Sequence, residues 1–152
     1  MKSKTISVLI AIFIILCCWF YLETNGSYQL AFKARFYQSV GNYQNAYETS
    51  KQALKLDTYN KLAMSVFVNS QRALKLERYV AQGKKFLDDI RKMSQKGVNS
   101  SDKARINMMC EIVINEYYSL SKTNIDSDLK LEAESIYENF LTLKKELFDK
   151  TN

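Results

Sequence analysis

Few residues in this 152-residue chain have the type and spacing to do chemistry. There is no histidine, which removes the commonest general base and the commonest metal ligand. Cysteine occurs at Cys17, Cys18 and Cys110 only, with no Cys-x-x-Cys, so zinc and haem lack ligands and a cysteine nucleophile lacks a base. Cys17 and Cys18 lie in an apolar block, which leaves Cys110 alone and argues against a disulfide framework. The carboxylates Asp126, Asp128, Glu132 and Glu134 have the proximity of a calcium site. They lack its glycine, however, and fall where a helix should start, so capping accounts for them better. No glycine-rich loop is present to cradle phosphate. Asn25-Gly26-Ser27 and Asn99-Ser100-Ser101 carry the Asn-x-Ser spacing of a glycan acceptor, and Asn25 also has Glu23 two residues before it. So short a motif arises often by chance, and a polar turn is the favoured explanation. The expectation is a chain that is not an enzyme and needs no metal or cofactor.

Charge points to binding instead. The net charge is +6, but residues 24–97 hold 13 Lys/Arg against 5 Asp/Glu, while residues 98–152 hold 7 against 10. Arg72, Lys75, Arg78, Lys84, Lys85, Arg91 and Lys92 supply much of the basic half. Such polarity suits an acidic protein, an anionic lipid surface or another copy of the same chain, although a pair of solvated helix faces accounts for it slightly better.

The elements that must position these residues begin with residues 6–22, ISVLIAIFIILCCWFYL, which contain no charge. Seventeen residues rise about 25 Å as a helix, near the bilayer core of about 30 Å. Lys2 and Lys4 precede the block, Glu23 follows it, and Trp19 and Tyr21 sit at its far end. These features predict a retained single-pass anchor with a cytoplasmic N-terminus and an extracytoplasmic, periplasmic domain beyond it. Cleavage is disfavoured by the long, bulky core, and a lipoprotein site by Leu16 standing before Cys17.

After the anchor, the absence of proline and the four glycines favour helices throughout. Leu30, Ala34 and Tyr37 share one helical face, widened by Phe32 and Phe36, and Gly41-Asn42 reads as a turn. Tyr43, Ala46, Tyr47, Ser50, Ala53 and Leu54 then recur at i, i+3, i+4, i+7, i+10 and i+11. Two helices joined so tightly must run antiparallel. Leu62, Val66, Phe67, Ala73 and Leu74 outline a third helix, and Tyr79, Gly83, Phe86, Leu87, Ile90 and Met93 a fourth, with a turn at Glu77-Arg78-Tyr79. Gly97 to Ser101 breaks the chain, with a serine as N-cap and Asp102 in the first turn. Ile106, Met109, Cys110, Val113, Tyr117 and Leu120 mark a fifth helix. Leu129, Ala133, Ile136, Phe140, Leu143 and Leu147 mark a sixth, after a turn at residues 123–127.

Residues 27–60 resemble a tetratricopeptide repeat: Leu30, Ala34 and Tyr37 on the first helix, then Gly41, Tyr43, Ala46, Ala53-Leu54 and Asp57 on the second. Lys33, Ser50 and Thr58 depart from that pattern. The resemblance implies an all-α solenoid of about six helices behind the transmembrane helix. Its domains would be 1–26 (tip, anchor and linker) and 27–152, with the best repeat at 27–60, a degenerate pair at 61–96 and a divergent pair or cap at 101–150. It further implies a partner groove built by Tyr28, Ala31, Arg35, Gln38 and Ser39, which Arg72 and Lys75 would extend. The function expected is a membrane-anchored protein–protein interaction module that scaffolds or helps assemble a bacterial envelope complex. Its partners would be proteins and, through residues 6–22, the lipid bilayer, with no nucleic acid. The competing expectation is a self-associating structural subunit of a flagellar motor, pilus or secretion apparatus.

Overall fold

The described residues form six α-helices joined by short connections. The computed structural model describes residues 2–120 and 127–148. Its elements are α1 (Lys2–Thr24), α2 (Gly26–Ser39), α3 (Tyr43–Leu56), α4 (Lys61–Gln95), α5 (Ser100–Leu120) and α6 (Ser127–Phe148). They form two units, Met1–Gln71 and Arg72–Asn152, and α4 contributes residues to each.

The first unit is built on alanine. Gly41 takes φ +75°, the left-handed conformation that glycine adopts cheaply, and turns α2 into α3. Asn42 then caps α3 by accepting from the Asn45 amide at 3.2 Å. Of the α3 stripe, Tyr43, Ala46, Ser50 and Ala53 are buried, and Tyr47 and Leu54 are half-buried. Two layers take one small residue or valine from each helix: Ala31, Ala53 and Ala63 in one, Ala34, Ala46 and Val66 in the other. Side chains this short let helix axes approach closely. Tyr47 stacks on Phe67 with ring centroids 4.8 Å apart, sealing α3 against α4.

A buried polar network pins one end of this unit. Asn60 caps α4, its Oδ1 accepting from the Ala63 amide at 3.0 Å. Its Nδ2 donates to Ser27 Oγ at 2.9 Å, and that hydroxyl donates to the Ala53 carbonyl at 3.0 Å. Three helix ends are thus joined without leaving a polar atom of Asn60 unmatched, as burial requires.

The second unit packs larger side chains. Leu76, Tyr79, Val80 and Ile90 of α4 meet Ile106, Met109, Cys110, Val113 and Leu120 of α5 and Ala133, Ile136 and Phe140 of α6. The α5 and α6 stripes read from the sequence are therefore the buried faces. Gly83 permits the closest approach, since a Cβ there would stand 2.3 Å from Ile136 Cγ2. Asp128 in the first turn of α6 and Lys145 in its last complement the helix dipole.

Three expectations are corrected. First, no helix among the described residues is long and apolar enough to cross a membrane, so the expected transmembrane span is not supported. The uncharged block, residues 6–22, rises about 25 Å as a helix, short of a hydrocarbon core of about 30 Å. Second, residues 61–96 are not a helix pair, because α4 runs unbroken through Glu77-Arg78-Tyr79. Those three residues include no glycine or proline, and nothing in them ends a helix. Third, the cap of α5 is Asn99, not a serine. Its Oδ1 accepts from the Asp102 amide at 2.7 Å, while its own amide donates to Asp102 Oδ2 at 3.2 Å, a reciprocal capping box. The expected turn at 123–127, with Asp126, lies outside the described residues apart from Ser127, where α6 starts.

Candidate functional site

The second unit carries an open trough of about 600 Å³ lined by Arg72, Lys75, Arg78 and Gln82 of α4 and Glu116, Ser119 and Leu120 of α5. The spacing explains its walls. Residues 72, 75, 78 and 82 fall on one side of α4, beside the buried stripe of Leu76, Tyr79 and Gly83. Residues 116, 119 and 120 stand together on α5 by the same rule, and buried Leu120 gives the trough an apolar patch.

Its electrostatics are one-sided. Three cations face one carboxylate. Among the described residues Arg72, Lys75 and Glu116 form no ion pair, and Arg78 Nε donates to the Leu74 carbonyl at 3.2 Å. Two other basic residues of this helix are paired, Lys84 with Glu132 and Lys92 with Asp88 at 2.6 Å. The hydrogen bond from Lys92 holds the Asp88 carboxyl below the usual carboxylate range. Lys144 likewise pairs with Glu111 at 3.3 Å.

A tyrosine cluster lies within the same unit. The ring of Tyr79 is 6.1 Å from that of Tyr117, which stacks on Tyr137 at 4.4 Å. The hydroxyls of Tyr118 and Tyr137 are hydrogen-bonded at 2.9 Å. Burial drives the Tyr79 phenol far above its ordinary pKa, helped by Tyr117 and Glu116, and its hydroxyl has no hydrogen-bond partner among the described residues. Cys110 is fully buried, and burial pushes its thiol up as well, away from the thiolate that reacts or ligates metal.

The expected groove residues are divided. Arg72 and Lys75 line the trough. Ala31 is not a groove residue: it is fully buried between Ala53 and Ala63, because its small side chain sits where α2 packs most closely. Tyr28 and Gln38 are half-buried, while Arg35 and Ser39 are exposed. Arg35 Nη1 donates to Gln38 Oε1 at 3.0 Å, and Ser39 Oγ to the Phe36 carbonyl at 2.8 Å. Asn25, the candidate glycan acceptor, caps α2 through the Tyr28 amide at 3.4 Å. Of the candidate calcium carboxylates, Glu132 is engaged by Lys84 and Asp126 lies outside the described residues. Gln82, Glu116 and Ser119 were not foreseen; the spacing of Arg72, Lys75 and Arg78 along one side of α4 is a signal for Gln82, one turn further on, and for nothing on α5.

No protein-family model, curated protein or solved structure matches this chain.

Proposed function

We propose that the protein is a non-catalytic interaction module held at a lipid bilayer through α1, and that it receives an acidic segment of a partner protein in the Arg72–Lys75–Arg78 trough. The observation that carries this reading is the trough itself: three cations of one helix line a concavity with a single carboxylate. Gln82 and Ser119 add neutral hydrogen-bonding groups, and Leu120 an apolar contact. That combination suits an extended peptide carrying carboxylates beside an aliphatic side chain.

The lipid contact is supported by α1. Ile6, Leu9, Phe13 and Leu16 face one side of it and Val8, Ile12, Ile15 and Trp19 another, all between 48% and 68% exposed. A helix apolar on every side needs an apolar surrounding. Attachment to the bilayer does not require this helix to cross it. The antiparallel α2–α3 pair, with its glycine turn and alanine layers, supports the tetratricopeptide-like reading of residues 27–60, reduced to a single pair by the continuous α4. A place in the assembly of a bacterial envelope complex is the setting that these features suit.

A fluorescein-labelled oligoglutamate peptide, titrated by anisotropy against the intact protein in detergent, tests the trough. Arg72→Glu with Lys75→Glu should weaken binding at least tenfold, about 1.4 kcal/mol. The control Lys85→Glu with Arg91→Glu removes the same charge elsewhere on α4 and should change binding far less. Equal losses in both variants would reduce the trough to one patch of a diffuse basic surface. Sedimentation across a concentration series addresses the self-associating alternative, which requires ordered growth of the species.

A further inference from the structure

We propose that the outer face of α2 lies on an anionic lipid headgroup surface. The inference rests on the reading that α1 contacts lipid. Phe32, Phe36 and Val40, at i, i+4 and i+8, form one row on this face, 53%, 63% and 59% exposed. The opposite face carries Ala31 and Ala34, both fully buried, so the row has no role in the alanine-layered core. Lys33 and Arg35 flank the row, one on each side, and both are exposed. Neither has a carboxylate partner among the described residues: the Lys33 ammonium lies 5.9 Å from the centroid of Tyr37, and Arg35 bonds neutral Gln38. Apolar rings edged by cations are the chemistry of a helix lying in a bilayer interface. The rings enter the boundary between headgroups and acyl chains, and the long basic side chains reach up to phosphate.

Continuity with α1 identifies lipid as the occupant. Only Asn25 separates the two helices, and its ψ of 89° takes the chain off the path of α1 before α2 begins. At the same end, Leu56 is 64% exposed, its Cδ1 3.6 Å from where a Cβ on Gly26 would stand, and Tyr59 is 90% exposed. The apolar surface of α1 is thus followed at once by exposed apolar groups within the unit to which it belongs. Charge agrees: between Gly26 and Gln71 there are five cations, Lys33, Arg35, Lys51, Lys55 and Lys61, against Glu48 and Asp57. A second copy packed symmetrically on this face would bring Lys33 and Arg35 toward their own equivalents, whereas anionic headgroups neutralise them.

The test uses the full chain with Trp19→Phe and Phe36→Trp, which leaves one tryptophan on the row. Because Phe36 is exposed, the new ring does not enter the core; circular dichroism matched to the unsubstituted protein checks this, and Phe32→Trp is the second reporter. On vesicles of phosphatidylglycerol and phosphatidylcholine, the expected result is blue-shifted emission, quenching by shallow brominated lipid and a several-fold fall in iodide quenching. Adding Lys33→Glu with Arg35→Glu should restore iodide quenching while the chain still floats with the vesicles. Water-like emission from a chain that floats overturns this inference and leaves the α1 reading intact. Failure to float overturns both. A blue shift that follows protein concentration without bromolipid quenching assigns the face to a second copy and also overturns the proposal.

Discussion

Gly83→Ala sets two effects of known sign against each other. Alanine in a helix interior is favoured over glycine by up to about 1 kcal/mol. Here, however, the new methyl would stand 2.3 Å from Ile136 Cγ2, more than about 1 Å inside ordinary carbon–carbon contact. Cγ2 is fixed to the branch point of Ile136, which is 5% exposed among the core side chains of its unit, so it cannot swing aside as a flexible chain end would. Overpacking of this kind costs about 1–3 kcal/mol, and the net effect should be a destabilisation of roughly 1 kcal/mol. A double-mutant cycle isolates the contact. Ile136→Ala alone should cost about 2–5 kcal/mol through its cavity. In that background Gly83→Ala no longer meets Cγ2 and should stabilise the protein by several tenths to about 1 kcal/mol. The measurement is urea unfolding followed by far-UV circular dichroism on all four proteins, with the coupling energy taken from the cycle. Stabilisation by Gly83→Ala in the unsubstituted chain, or the same change in both backgrounds, would refute the close α4–α6 approach.

Two further predictions concern buried polar groups. Asn60→Ala removes both the α4 cap and the donor to Ser27, so it should cost about 1–3 kcal/mol and accelerate amide exchange at the start of α4. Asn60→Asp keeps the capping oxygen but not the Nδ2 donor, so full rescue by aspartate would show that the cap acts alone. The Tyr79 phenol and the Cys110 thiol both hold their protons more tightly in the folded chain than in the unfolded one. The folded state therefore binds more protons at alkaline pH. Stability is fully present below about pH 8, starts to fall as unfolded cysteine ionises near about 8.5, and falls faster above about 10 as unfolded tyrosine joins it. Tyr79→Phe should flatten the limb above about pH 10. At neutral pH it should be neutral or stabilising, because the hydroxyl it removes has no partner among the described residues. Unfolding midpoints across pH 7–11 check both statements.

Legibility from sequence followed the physics of each segment. The α2–α3 pair was readable because Gly41 needs a left-handed turn and because small residues recur at helical spacing along one face. The buried stripes of α5 and α6 were readable because large apolar residues keep period along them. The fused α4 shows the limit of that method. Tyr79, Gly83 and Ile90 were correctly placed on one stripe, yet periodicity reports which face is buried and not whether the helix continues. The break expected at Glu77-Arg78-Tyr79 had no residue there that stops a helix. Alanine misled in a different way. Ala31 was placed in a groove because the tetratricopeptide resemblance implied it, and Phe32 and Phe36 were read as widening the face of Leu30, Ala34 and Tyr37. Where helix axes approach closely, alanine is buried because it is small, and phenylalanine is displaced outward because no room is left. The trough has the same origin. Arg72, Lys75 and Arg78 flank the buried stripe of α4, so the periodicity that packs Leu76 and Tyr79 inward lines up the cations beside them. Its far wall, Glu116 and Ser119, depends on which side of α5 meets α4, a tertiary choice that no local pattern encodes.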